Sequence, residues 1–139
     1  MRQPKILVVE DESIVAIDLE ETLQEMGYEV TGIVASGEAA IEKSAQQKPD
    51  LVLMDIMLQG KVDGITAAAT IREQAKIPVI FLTSHADSAT LERAKVTEPY
   101  GYILKPYKDV ELRTVIEIAL AVRDQGCLRH VTYTVTDRL

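Results

Sequence analysis

Charged and hydroxyl-bearing side chains follow short apolar runs at several places in this sequence. One carboxylate, Asp55, stands in the middle of the apolar stretch LVLMDIML. An ionised carboxylate left unpaired in an apolar site costs several kcal/mol or more, so this position requires a compensating partner. The other candidates that follow such runs are Glu10, Asp11, Thr83 and Lys105.

These residue types suit chemistry at a phosphorus atom. Two carboxylates ~4 Å apart repel each other by roughly 4 kcal/mol at an effective dielectric constant of about 20, so a cluster of Glu10, Asp11 and Asp55 requires positive charge. Mg²⁺ prefers carboxylate, water and phosphate oxygens, and Lys105 would add a second, fixed positive charge. Held ionised between the two, Asp55 is a credible nucleophile toward phosphorus, and Thr83 would offer its hydroxyl to the phosphoryl oxygens.

The elements that must position these residues are short strands separated by helices. Segments with apolar residues at helical spacing predict the helices, and Gly27 ends the first of them. Apolar or β-branched runs bounded by Gly, Pro, Asp or Ser predict five strands, at residues 5–10, 29–36, 50–55, 77–84 and 101–105.

Strands that alternate with helices predict five βα units, which form a parallel sheet with helices on both faces. Such sheets bind ligands at the carboxyl ends of their strands, and the first and third strands are commonly neighbours. We therefore expect Glu10, Asp11 and Asp55 to share one small pocket.

Composition excludes several classes of protein. The chain has 139 residues, enough for one domain with a real core, and its net charge of −7 and dispersed basic residues disfavour direct nucleic-acid binding. Cys127 has no cysteine or histidine at zinc-ligand spacing. No apolar run approaches a membrane span and the start does not resemble a signal peptide, so we expect a cytoplasmic protein without a membrane partner.

The domain organisation predicted from the sequence is one domain over residues 1–123, followed by a tail or the start of a linker over 124–139. The stretch VTYTV in this tail alternates, so it could pair as an edge strand or lie disordered. We expect the tail to be too short for an intact output domain.

Four motifs together resemble one known family. ILVVEDE, LVLMDIML followed by DG, PVIFLTSHAD and GYILKPY, in this order, closely resemble the receiver domain of two-component response regulators, and the resemblance covers roughly residues 4–122. It implies a flavodoxin-like (βα)5 sandwich with strand order 2-1-3-4-5. It also implies a signalling switch rather than an enzyme, with at most self-phosphorylation from small donors and slow self-dephosphorylation.

The resemblance assigns a role to each matching residue around the metal. Asp55 matches the phosphoacceptor, Asp11 the direct Mg²⁺ ligand and Glu10 its acidic partner, which often acts through water. Met57 matches the residue whose backbone carbonyl binds the metal. Many family members carry Asp where this chain has Glu10.

The remaining matches concern the response to phosphorylation. Thr83 matches the hydroxyl that moves to the phosphoryl group, Lys105 the lysine that pairs with it, and Tyr102 the aromatic residue that changes rotamer with the threonine. The Lys105–Pro106 bond matches a peptide bond that is usually cis in the family. The partners implied are a histidine kinase or phosphotransfer protein, a downstream target protein or output domain, and a second copy bound through the fourth helix, fifth strand and fifth helix.

Two other functions use similar parts. A phosphatase of the haloacid dehalogenase type also has an Asp nucleophile with Mg²⁺, but generally needs an acid two residues later, where this chain has Met57. A flavodoxin-like redox carrier would need a phosphate-binding loop after the first strand, and the acidic stretch EDES found there would repel phosphate.

Overall fold

A computed structural model of the chain describes residues 3–58, 60–84, 88–97, 99–124 and 133–135. Strands and helices alternate along the described part of the chain. The strands are β1 (Lys5–Val9), β2 (Glu29–Val34), β3 (Leu51–Asp55), β4 (Val79–Thr83), β5 (Gly101–Leu104) and β6 (Tyr133–Val135). The helices are α1 (Ser13–Glu25), α2 (Gly37–Gln47), α3 (Gly64–Ala75), α4 (Ser88–Val96) and α5 (Asp109–Asp124).

The strands form one parallel sheet in the order β2-β1-β3-β4-β5-β6. The first five strands confirm the predicted order and the predicted (βα)5 architecture. Each of the five is shorter by one to three residues than its predicted apolar run. β6, which lies in the predicted tail, pairs with β5, so the described part of the tail forms an edge strand.

Apolar side chains alternate across the sheet and fill a core on each face. On one face, Ile6 and Val8 of β1 pack with α1 and α5 through Leu19, Leu23 and Leu112. On the other face the core contains Leu7 and Val9 of β1, together with residues of α2, α3 and α4 such as Ala40, Ile65, Ile71 and Ala94. The helices therefore cover both faces, as predicted.

Capping side chains mark the starts of two helices on the second face. The Ser36 hydroxyl accepts a hydrogen bond from the Ala39 N–H at the start of α2 (3.1 Å), and the Asp63 carboxylate accepts one from the Thr66 N–H at the start of α3 (2.8 Å). None of the helices in the described ranges is long and apolar enough to cross a membrane.

The register of the sheet brings the carboxyl ends of its central strands to one edge. Val9 pairs with Met54, and Asp55 pairs with Leu82, so the residues that follow β1 lie beside the end of β3. Thr83 pairs with Leu104 at the ends of β4 and β5. This edge is therefore where the candidate residues meet.

Candidate functional site

Three carboxylates converge at the carboxyl edge of the sheet. Each of Glu10, Asp11 and Asp55 offers an oxygen within 4.8 Å of the others. Glu10 is only 3% exposed and Asp55 only 8%, so water screens their charges poorly. The pocket expected from the strand ends is therefore present.

Asp55 and Glu10 each have one carboxylate oxygen held by a backbone N–H. Asp55 Oδ1 accepts a hydrogen bond from the Met57 N–H (3.0 Å), and Glu10 Oε2 accepts one from the Glu12 N–H (3.2 Å). The turn after each strand thus orients the side chain at that strand's end. The side chain of Met57 is 51% exposed, so in this structure it contributes to the site through its backbone.

Lys105 reaches the other oxygen of both carboxylates. Its Nζ lies 3.0 Å from Glu10 Oε1 and 3.4 Å from Asp55 Oδ2. Burial lowers the pKa of the Lys105 ammonium, but the hydrogen bond to Glu10 and the charges of Asp55 and Glu10 outweigh it and raise the pKa above its ordinary value. Lys105 is therefore a fixed positive charge between the two acids.

Among the residues that the structure describes, one ammonium faces three carboxylates, so the cluster still carries an excess of negative charge. Hard oxygen ligands this close together suit Mg²⁺, which is bound by one or two carboxylates and keeps several waters. The donor set therefore fits a magnesium ion, and it contains none of the sulfur or imidazole ligands that favour zinc.

Gly64, the first residue of α3, is needed for the shape of this site. The Gly64 N–H donates to the Ile56 carbonyl (3.1 Å), and a Cβ at Gly64 would lie 2.1 Å from the Asp55 carbonyl oxygen. Only glycine allows α3 to begin this close to the end of β3. The signal in the sequence was a glycine directly after the capping residue Asp63.

Thr83 and Tyr102 lie on neighbouring strands near Lys105. Thr83 is fully buried at the end of β4, and its carbonyl accepts a hydrogen bond from the Lys105 N–H (2.9 Å). The Lys105–Pro106 bond is cis, in agreement with the resemblance. Both predicted switch residues therefore lie on the side of the site from which Lys105 enters.

The Tyr102 ring points into the core. It is 2% exposed and stacks on Phe81, with ring centroids 6.1 Å apart and an interplanar angle of 30°. Burial, and then the charge of Glu92, raise the pKa of Tyr102 to about 12. Its hydroxyl makes no hydrogen bond to any residue that the structure describes, so little polar bonding holds the ring inward.

Comparisons with known proteins agree with this geometry. The chain is 35% identical, over 97% of its length, to the transcriptional regulatory protein PdtaR of Mycobacterium tuberculosis, and it spans 66% of that relative. It is 33% identical over 84% of its length to the phyllosphere-induced regulator PhyR of Methylorubrum extorquens, of which it spans 43%. The chain thus spans less than two thirds of these relatives.

Solved receiver domains share both the fold and the extent of the chain. The signal receiver domain of a modulated diguanylate cyclase from Desulfovibrio desulfuricans matches with a TM-score of 0.85 and 37% identity, covering 89% of this chain and 98% of that one. The receiver domain of a sensor histidine kinase from Pseudomonas aeruginosa, solved with a magnesium ion in its active-site cleft, matches with a TM-score of 0.78 and 32% identity, covering 86% and 98%.

A model of the response regulator receiver domain family matches residues 6–117, which include the whole acidic cluster and Lys105. The sequence match, the strand order and the arrangement at the carboxyl edge lead to the same assignment. The chain belongs to the response regulator receiver domain family of two-component signalling proteins.

Proposed function

We propose that this chain is a phosphoacceptor switch that takes a phosphoryl group onto Asp55 from a histidine kinase or a phosphotransfer protein. The observation that carries the proposal is the position of Asp55, which is almost fully buried, clustered with two other acids and held at one oxygen by Lys105. An ionised carboxylate in such a site is a strong nucleophile because few water molecules must leave it.

The residues that would hold Mg²⁺ are Asp11 and Asp55 through their carboxylates, Glu10 through a water molecule, and Met57 through its backbone carbonyl. When bound, the ion neutralises negative charge shared by the carboxylates and the phosphoryl oxygens. The magnesium ion reported in the Pseudomonas aeruginosa receiver domain supports this assignment.

In the transfer step, a carboxylate oxygen of Asp55 forms a bond to phosphorus as the bond from phosphorus to the donor's nitrogen breaks. The product is an acyl phosphate on Asp55, and the donor leaves with the electron pair. Lys105, already 3.4 Å from Asp55 Oδ2, pairs with the phosphoryl oxygens. The Thr83 hydroxyl turns toward the same oxygens.

The phosphoryl group adds a charge of about −1.5 to −2 to a cluster whose own positive charge comes from Lys105. Movement of Thr83 toward that charge leaves space beside β4, and Tyr102 follows into it. The surface of α4, β5 and α5 then changes its preference for partners, which include a target protein, an output domain or a second copy. β6 pairs with β5 and is therefore part of this region.

We assign the receiver domain to residues 1–123 and the tail or linker to 124–139, and we place the protein in the cytoplasm. We propose that it is a switch and not an enzyme. The haloacid dehalogenase alternative gains no support, because Met57 stands where such a phosphatase needs an acid.

The test is incubation with Mg²⁺ and acetyl phosphate, followed by intact-mass measurement. Wild-type protein should gain one phosphoryl group, and both Asp55→Asn and removal of Mg²⁺ by a chelator should abolish the gain. Asp18→Asn is the matched control, since Asp18 is exposed on α1 and lies outside the acidic cluster. Equal labelling of Asp55→Asn and wild type would contradict the proposal.

A further inference from the structure

A second concave site lies at the amino edge of the sheet, opposite the acidic cluster. It is a cleft of about 480 Å³ between the ends of α2 and α3 and the starts of β3 and β4. A cleft of this volume is within the range that holds a small organic molecule. Its apolar lining includes Ile41, Ala45, Ile71, Ala75 and Ile77.

A few polar groups converge on this apolar lining. Ser44, which is 1% exposed, lines the cleft, and its hydroxyl oxygen is buried and makes no hydrogen bond to any residue that the structure describes. A buried hydroxyl without a partner costs about 1–3 kcal/mol, so a rotation of the Ser44 side chain toward a bound ligand would gain affinity. Apolar walls with a small number of placed polar groups are typical of ligand sites.

The charge of the cleft is opposite in sign to that of the chain. Lys48, Lys76 and Arg123 line it together with a single acid, Asp50. Asp50 is already satisfied by the Arg123 guanidinium (2.5 Å) and the Lys5 N–H (2.7 Å). This leaves the two lysines as the uncompensated side-chain charges of the cleft.

The two lysines do not merely balance the helices they follow. Lys48 and Lys76 come directly after α2 and α3, and each helix end carries about half a negative charge. Two ammonium groups against two half charges leave a surplus of about one positive charge. Neither lysine forms an ion pair with any residue in the described ranges.

We propose that this cleft binds a small organic monoanion with an apolar body. The body lies on Ile41, Ile71 and Ile77, and the carboxylate faces Lys48 and Lys76. The Ser44 hydroxyl rotates toward a hydrogen-bonding atom of the ligand. Arg123 forms one wall and belongs to the last turn of α5, so binding of the ligand also changes the surroundings of the end of α5.

The experiment is a titration of the ¹⁵N-labelled 139-residue chain with indole-3-acetate, followed by amide chemical shifts. We expect saturable shifts confined to residues 41–50, 71–78 and the end of α5. Indole-3-acetamide has the same shape without the charge, and it should bind about tenfold more weakly, a difference that one screened charge contact provides. Scattered or non-saturating shifts, or equal binding of the two compounds, would overturn the proposal.

Variants distinguish this cleft from a nonspecific surface. Ala75→Leu places extra carbons in the cleft from a partly exposed helix position and should abolish the saturable shifts. The double variant Lys48→Gln with Lys76→Gln should remove the preference for indole-3-acetate over the acetamide. Lys95→Gln, at an exposed position of α4, should keep that preference. Unchanged binding in Ala75→Leu would place the ligand elsewhere and end the proposal.

Discussion

Two aspartates at opposite ends of β3 are buried almost equally but compensated differently. Asp50, directly before the strand, is 6% exposed, and Asp55, its last residue, is 8% exposed. Asp50 pairs with the Arg123 guanidinium and also accepts a hydrogen bond from the Lys5 N–H. Asp55 shares a single lysine with Glu10 and lies beside a third carboxylate, that of Asp11.

The difference separates an aspartate that stabilises the fold from one that is available for chemistry. Asp50 at the amino edge is compensated within the chain by Arg123 and the Lys5 N–H, and loss of this pairing is costly because the carboxylate is buried. The groups at the carboxyl edge are negative in excess, and the excess attracts cations and an electrophile. Burial alone therefore does not identify the functional residue, and the balance of charge around it does.

The largest expected effect is on the matched aspartate. Asp50→Asn should lower the free energy of unfolding by about 3 kcal/mol, because it breaks a buried ion pair with the Arg123 guanidinium. Urea unfolding of the variant measures this loss, with Asp18→Asn on the exposed face of α1 as the control. If Asp50→Asn unfolds at the same urea concentration as wild type, the pair with Arg123 contributes little to stability, and Asp50 does not differ from Asp55 in the way described above.

A somewhat smaller effect is expected from steric change beside Asp55. Gly64→Ala should cost about 2 kcal/mol of stability, because its new Cβ collides with the Asp55 carbonyl oxygen and the backbone must shift. The same shift should slow phosphorylation by acetyl phosphate. Gly32→Ala is the matched control, since its Cβ would meet no atom closer than 3.8 Å. Equal stability of the two variants would show that the approach of α3 to β3 is not tight.

Removal of the Lys105 ammonium should change the affinity for Mg²⁺ and the rate of phosphorylation in opposite directions. Lys105→Met should strengthen Mg²⁺ binding about fivefold, because the ion no longer competes with a nearby positive charge. It should also slow phosphorylation about tenfold, through loss of a charge that pairs with the phosphoryl oxygens.

Calorimetric titration with Mg²⁺ and labelling rates measure the two effects, and Lys108→Met, on the same loop but exposed, is the control. Weaker Mg²⁺ binding in Lys105→Met would mean that the lysine holds the carboxylates in place for the metal.

The smallest expected effect is the change in stability caused by Asp55→Asn, which is to be compared with that of Asp50→Asn. Asp55→Asn should raise the free energy of unfolding by about 1 kcal/mol at low salt without Mg²⁺, because it relieves repulsion within the cluster. Saturating Mg²⁺ should remove this advantage, since the ion stabilises only the complete cluster. Thermal unfolding with and without Mg²⁺ measures both. A loss of stability similar to that of Asp50→Asn would show that the two aspartates are equivalent.

The sequence predicted the fold and the place of the site because both depend on local patterns. Alternating strand and helix signals determine a parallel sheet, and its carboxyl edge brings Glu10, Asp11 and Asp55 together whatever the details of packing. The roles assigned to the individual residues came from the family resemblance, and they stay predictions until tested.

The remaining features depend on contacts between distant parts of the chain. The Asp50–Arg123 pair joins residues 73 positions apart, and no local pattern marks either of them. Gly64 looks like any glycine at a helix start until the distance to the Asp55 carbonyl is known. The pairing of β6 with β5 was left open because alternation in a short tail also occurs without a partner strand.

The most direct test of whether Asp55 accepts the phosphoryl group is to locate that group chemically. Protein treated with acetyl phosphate and Mg²⁺ is reduced with borohydride, which converts an aspartyl phosphate to homoserine, and its peptides are then sequenced by mass spectrometry. We expect homoserine in place of Asp55 and unmodified carboxylates at Glu10, Asp11 and Asp50. Reduction at any of those three residues, with Asp55 intact, would contradict the assignment of Asp55 as the phosphoacceptor.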